Sequence, residues 1–145
     1  MTAEQSSLLA HARDLLERSD PSTAGIWPRA TALLTRQVLE GALDDLWRRR
    51  APGVEDCSAK AQLLCLPSYL HGAGDLAERV AYAWVGLSRA SHQHAYELPP
   101  TSSELIVWIE VVDQFVAQVH SAVAPAAESL VKPSRVSPKR GVRTP

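Results

Sequence analysis

The sequence predicts an all-α protein, folded as an up-and-down bundle of four to five helices. Apolar residues recur at spacings of three and four in several segments, which is typical of helices that bury one face. Capping and turn-forming residues separate these segments at the intervals expected of bundle helices. No segment alternates apolar and polar residues as a half-buried strand would, and no glycine-rich phosphate loop is present.

The composition indicates one globular domain followed by a tail. A chain of 145 residues with 46% hydrophobic residues can build a single core. We place this domain at residues 1–121 and predict that residues 122–145 form a disordered, basic tail rich in proline and serine. The domain has ten basic and fifteen acidic residues, and the tail has five basic and one acidic. Such an acidic domain offers nucleic acid no continuous basic face.

The first two helices have recognisable starts. Thr2 and Gln5 are spaced as a capping box, and the apolar pattern that follows predicts a helix to about Arg18. A second helix is predicted from Pro28 to about Arg50, since proline is favoured at the first helical position.

The third helix and the central helix occupy the middle of the chain. We predict that Asp56 caps a short helix that stops at Pro67. The central helix is predicted from Asp75 to Leu98, with Asp75 as its cap and Glu78 returning a bond to the cap. Its core stripe consists of Leu76, Val80, Ala83, Trp84 and Leu87.

The last helix begins at a further capping box, formed by Thr101 and Glu104. It is apolar on more than one side, which predicts contact with several neighbours or with a second subunit.

The distribution of apolar residues and cysteines indicates a cytoplasmic protein. The polar start MTAEQSS and the lack of an apolar run of about 18–20 residues predict neither a secretory signal nor a membrane span. Cys57 and Cys65 are expected to be free thiols, and their spacing predicts burial on one helical face.

The histidines do not predict a metal site, and we expect no cofactor. His92 and His94 would point about 200° apart on a helix, so they could not bind one ion there. The arginine triplet 48–50 fits a solvated cluster that complements the helix dipole better than a phosphate-binding patch.

One motif near the end of the predicted central helix contains residue types that can take part in catalysis. Arg89, His94 and Tyr96 form the pattern R-x4-H-x-Y. A helical bundle with this arginine and histidine resembles the HEPN superfamily, whose active members are metal-independent ribonucleases. The longer pattern is similar to HEPN toxins paired with nucleotidyltransferase antitoxins, in which the tyrosine is adenylylated. The resemblance implies that Arg89 and His94 are catalytic, that Tyr96 is a modification site and that an antitoxin is a partner.

The chemistry of metal-free RNA cleavage favours a homodimer. The reaction needs a base, an acid and a cation on the phosphate, and a histidine and an arginine can fill these roles. One chain supplies a single His94 and a single Arg89, so a two-fold axis that doubles both predicts a site at the dimer interface. Tyr82 and Val85 share a second face of the central helix with Arg89, and we take them as dimer-face candidates.

Geometry sets a condition on this site. In a regular helix Arg89 and His94 lie about 140° apart, and His94 falls on the core stripe. The two can meet only if the helix bends or loosens near Ala90–His92, or if they belong to different chains. Active HEPN members usually have a polar residue where this chain has Ala90, and Ser91 and His92 are the candidates to support catalysis instead.

The leading hypothesis is therefore a HEPN-type endoribonuclease that leaves a 2′,3′-cyclic phosphate and serves as a toxin or a stress or phage-defence component. The alternative is a non-catalytic HEPN-like module that binds a protein partner or a nucleotide. Ala90 and the acidic domain favour that alternative. A third hypothesis is a homodimeric structural bundle in which the histidines only pack.

Overall fold

The computed structural model describes residues 2–17, 26–70, 73–92 and 98–121. All regular structure within these ranges is helical. The elements are α1 (Ala3–Glu17), α2 (Trp27–Arg50), α3 (Ala59–Cys65), a 3-10 turn (Leu66–Ser68), α4 (Leu76–Ser91) and α5 (Ser102–Ser121). The predicted tail, residues 122–145, lies outside the described residues.

Capping boxes begin both α1 and α5, as the sequence predicted. The backbone N–H of Thr2 donates to Gln5 Oε1 at 3.0 Å, and that of Gln5 donates to Thr2 Oγ1 at 3.1 Å. At α5 the N–H of Thr101 donates to Glu104 Oε2 at 2.8 Å, and the N–H of Glu104 donates back to Thr101 Oγ1 at 3.2 Å. Each pair satisfies two of the backbone donors left open at a helix start.

Of two other predicted caps, one is wrong and one is right in position only. Ser58, not Asp56, caps α3: its backbone is extended and its hydroxyl accepts from the N–H of Ala61 at 3.4 Å. Asp75 occupies the N-cap position of α4, as predicted, but its side chain makes no capping bond, because its backbone (φ −89°, ψ 10°) is not extended. Its carboxylate instead accepts from Arg79 Nε at 3.0 Å.

Helix α2 is the centre of the bundle, and α1 packs against it. Gln5, at the start of α1, donates to Asp45 near the end of α2 at 3.1 Å. Since these residues lie at opposite ends of their helices, α1 and α2 are antiparallel.

Helix α4 also runs antiparallel to α2. Arg29 in the first turn of α2 donates to the carbonyl of Ser91 in the last turn of α4, and Trp84 Nε1 donates to Glu40. Helix α5 then reverses direction again, because Arg79 near the start of α4 donates to Gln114 in the second half of α5. The helices α1, α2, α4 and α5 therefore alternate up and down.

The core is continuous through all these helices. Trp47 and Phe115 are its largest fully buried side chains. The ring of Tyr69, just after the 3-10 turn, meets Trp47 edge-on, with centroids 4.8 Å apart and planes at 83°. Helix α5 packs against α1, α2 and α4, which explains the breadth of its buried apolar face.

The predicted burial of the cysteines is wrong. Cys57 and Cys65 are both free and exposed. The prediction assumed one helix through both positions, but Cys57 precedes the cap of α3, so the two do not share a helical face. No helix in the described ranges has the length and apolarity needed to cross a membrane.

Candidate functional site at the end of α4

Arg89 lies in the last turn of α4, on the face that points away from the core. Its neighbours on this face, Tyr82 and Val85, are 73% and 50% exposed, and Arg89 is exposed as well. The opposite face buries Val80 and Leu87 completely. Helix α4 is thus held in its own bundle by one face and presents an aromatic, an aliphatic and a cationic side chain on the other.

Helix α4 is shorter than the sequence predicted, because it ends at Ser91 rather than at Leu98. The hydroxyl of Ser91 donates to the carbonyl of Leu87 at 2.7 Å, and Nδ1 of His92 donates to the carbonyl of Ser88 at 2.7 Å. Bonds of the same kind occur inside other helices, from Thr35 to the carbonyl of Thr31 and from His11 to that of Ser7, so they satisfy carbonyls near the end of α4 without ending it by themselves. His92 itself has left helical geometry, with φ −96° and ψ 130°.

The helix end changes the geometry of the motif. The chain turns extended at His92, so the angle of about 140° expected for a regular helix does not apply to Arg89 and position 94. The structure brings Arg89, Ser91 and His92 together in one turn. His94 and Tyr96 lie outside the described residues, so their contacts with Arg89 stay a prediction.

Ala90 is half-buried and packs against the core. Its side chain therefore contributes to packing and offers no polar group beside Arg89.

A polar cluster fixes how α4 sits on α2. Oε1 of Glu40 accepts from Arg36 Nε at 2.8 Å and from Trp84 Nε1 at 3.1 Å. The guanidinium of Arg36 also lies 5.9 Å from the ring centroid of Trp84, within cation–π range. The sequence predicted Trp84 as a core residue, but it is half-buried, with its indole N–H bound at the boundary between the helices.

Helix α5 adds further apolar side chains to the surface. Ile106 is 46% exposed and Val107 is 55% exposed, whereas Ile109 is buried. Ile106 and Val107 thus join Tyr82 and Val85 of α4 as large apolar side chains in contact with solvent.

A separate cleft of about 290 Å³ lies between α1 and the second half of α2. Two of the three carboxylates that line it are engaged: Asp45 accepts from Gln5 and Arg48, and Asp44 accepts from Gln62. The described residues contain no group of three or more histidine, cysteine or acidic side chains that could hold a metal ion.

The contact that sequence analysis missed is the one between Arg29 and Ser91. Arg29 Nε donates to the Ser91 carbonyl at 3.2 Å across 62 residues of sequence. No local pattern marks such a pair.

No family model, curated protein or solved structure matches this chain.

Proposed function

We propose that this protein is a HEPN-type, metal-independent endoribonuclease that acts as a homodimer and serves as a toxin or a stress or phage-defence component. One observation carries the proposal. Arg89 is exposed in the last turn of α4, and the chain leaves helical geometry at His92, between the two motif residues Arg89 and His94. This is the interruption that the motif needs if the arginine and the histidine are to act on one phosphate.

In the proposed reaction, one His94 takes the proton from the RNA 2′-hydroxyl, and the 2′-oxygen attacks the adjacent phosphorus. The guanidinium of Arg89 binds the phosphate oxygens, on which negative charge accumulates. The bond to the 5′-oxygen breaks, and the second protomer's histidine gives that oxygen a proton. The products are a 2′,3′-cyclic phosphate and a 5′-hydroxyl, and no metal or cofactor is required.

The second protomer is proposed to sit on the outer face of α4. Tyr82 and Val85 supply exposed apolar area there, on the same face as Arg89. A two-fold axis at this face would place both copies of Arg89 near one another.

Tyr96 is the proposed site of regulation. A nucleotidyltransferase antitoxin that transferred AMP from ATP to its hydroxyl, with release of pyrophosphate, would add a phosphate two residues from His94. That negative charge would compete with RNA for Arg89.

The test is inducible expression in a bacterial host, with growth and RNA integrity measured for the wild type, Arg89→Ala and His94→Ala. We expect growth arrest and RNA cleavage for the wild type and neither for the two variants. Arg49→Ala is the matched control, because Arg49 is an exposed arginine in the last turn of α2, and it should act as the wild type does. A wild type that neither arrests growth nor cleaves RNA would contradict the proposal.

A second candidate is a non-catalytic HEPN-like module that binds a protein partner or a nucleotide. The packing of Ala90 against the core favours it, because no polar side chain at that position can assist catalysis. This candidate predicts that the wild type is inert in the expression assay and that Arg89→Ala has no effect on partner binding.

A further inference from the structure

The last turn of α4 is held by a set of hydrogen bonds to its carbonyl oxygens. The final carbonyls of a helix have no partners within the helix and must find them elsewhere. Here Ser91 and His92 satisfy the carbonyls of Leu87 and Ser88 with their side chains, and the N–H of His92 donates to the Arg89 carbonyl at 3.1 Å. These three bonds all come from within the turn itself.

The bond to the Ser91 carbonyl comes from a different helix. Its donor is Nε of Arg29, two residues after the start of α2, at 3.2 Å. Because α2 and α4 are antiparallel, the guanidinium lies at the C-terminal end of α4, where the helix dipole is negative. The positive charge of Arg29 and its hydrogen bond therefore both stabilise the contact between the end of α4 and the first turn of α2.

We infer that Arg29 is a positioning residue for the candidate active site, acting through the Ser91 carbonyl. The inference rests on the proposed ribonuclease function. Arg29 holds the last turn of α4, which carries Arg89, through the Ser91 carbonyl. Its role is to keep the guanidinium of Arg89 at one position relative to the bound phosphate, since a small displacement of a group that binds the reacting phosphate lowers the rate strongly.

The contact itself is tested by amide hydrogen exchange, measured residue by residue by NMR on the full chain. Arg29→Gln should speed exchange at Ala90, Ser91 and His92 by roughly three- to tenfold, because it removes a charge-assisted bond at the helix end. Arg29→Lys keeps the charge without the fixed Nε donor, and its exchange rates should lie between those of the wild type and of Arg29→Gln. Arg49→Gln, the same change at the other end of α2, should leave these amides unchanged. Unchanged exchange in Arg29→Gln would overturn the inference.

The positioning role is tested by RNA cleavage kinetics. Arg29→Gln should lower kcat by roughly tenfold with little change in KM, and the thermal unfolding midpoint should stay near that of the wild type. Arg29→Lys should recover part of kcat. Wild-type kcat in Arg29→Gln would overturn the positioning role, and so would a fall in kcat that only follows a fall in unfolding midpoint.

The two measurements also separate this inference from the proposed function. If the wild type cleaves no RNA, the ribonuclease proposal fails and the positioning role fails with it. The exchange measurement then still decides whether Arg29 holds the end of α4.

Discussion

Gly86 of α4 lies directly against the indole ring of Trp108 in α5. A Cβ added at Gly86 would be 2.4 Å from Cζ2 and 2.7 Å from Cε2 of that ring, closer than real Cβ contacts come. The missing side chain therefore lets the two helices approach. With Gly86 facing α5 and Trp84 facing α2, the side of α4 that remains outward carries Tyr82 and Arg89.

We predict that Gly86→Ala destabilises the protein despite the better helix propensity of alanine. Propensity would add about 1 kcal/mol of stability, but forcing a methyl group against a packed ring costs typically 1–3 kcal/mol, so the net loss should be up to about 2 kcal/mol. Urea unfolding followed by circular dichroism measures it.

Gly41→Ala is the matched control, because its nearest neighbour, Nε2 of Gln5, would lie 3.6 Å from the new Cβ, which is ordinary contact. It should stabilise α2 by about 0.5–1 kcal/mol. Equal effects of the two substitutions would contradict the close approach of Gly86 to Trp108.

The start of α5 should make stability depend on pH. Bonds from the backbone N–H of Thr101 and from its hydroxyl lower the pKa of Glu104 below its ordinary 4.5. A carboxyl whose pKa is lower in the folded state stabilises the fold above its unfolded pKa, and this contribution is lost as pH falls through the folded pKa. We therefore predict that Glu104→Gln is less stable than the wild type at neutral pH and that the difference shrinks below about pH 4.

Thermal unfolding between neutral pH and about pH 3 measures this dependence. Thr101→Val removes the hydroxyl donor but keeps the backbone N–H. Its stability should therefore depend less on pH than that of the wild type. A difference between Glu104→Gln and the wild type that stays constant with pH would show that the Thr101 bonds do not stabilise the ionised carboxyl.

Charged substitutions on the outer face of α4 should break the proposed homodimer. Tyr82→Glu or Val85→Glu would bury unpaired charges at a two-fold interface, which should weaken association by roughly a hundredfold or more. Sedimentation velocity over a range of concentrations measures it.

Leu64→Glu serves as the control, since Leu64 is 76% exposed on α3 and lies outside the proposed interface. It should leave the dimer intact. A wild type that is monomeric at high concentration would exclude the interface, and so would dimers that persist in both α4 variants.

The reactivity of the thiols tests whether Cys57 and Cys65 are exposed. Because Cys57 and Cys65 are both exposed, about two equivalents of an aromatic disulfide reagent should react with the folded protein without denaturant. Reaction that requires unfolding would mean that the cysteines are buried, as the sequence pattern had suggested.

The sequence predicted the helices well where their signals are local. The capping boxes at Thr2 and Thr101 depend on residues three apart, and both form. The capping prediction failed at Asp56, and at Asp75 the position is right but the side-chain bond is missing, because a capping side chain also needs the right backbone conformation, which residue type alone does not determine.

The candidate site was harder to predict because its geometry depends on the backbone conformation of one residue and on a tertiary contact. The segment after Ser91 keeps a helical residue pattern, yet His92 is extended and α4 ends at Ser91. The bond from Arg29 joins residues 62 apart and leaves no mark in the sequence.

The central claim is metal-free RNA cleavage that depends on Arg89 and His94. The most direct measurement uses purified full-length protein, a single-stranded RNA and excess EDTA, with the new ends identified by mass spectrometry. The wild type and Arg49→Ala should leave 2′,3′-cyclic phosphate ends, and His94→Ala should cleave at least about a hundredfold more slowly. Arg89→Ala should show a similar loss.

A DNA strand of the same sequence should resist cleavage, because deoxyribose lacks the attacking 2′-hydroxyl. Cleavage by His94→Ala at the wild-type rate, or no cleavage by the wild type under any of these conditions, would contradict the account.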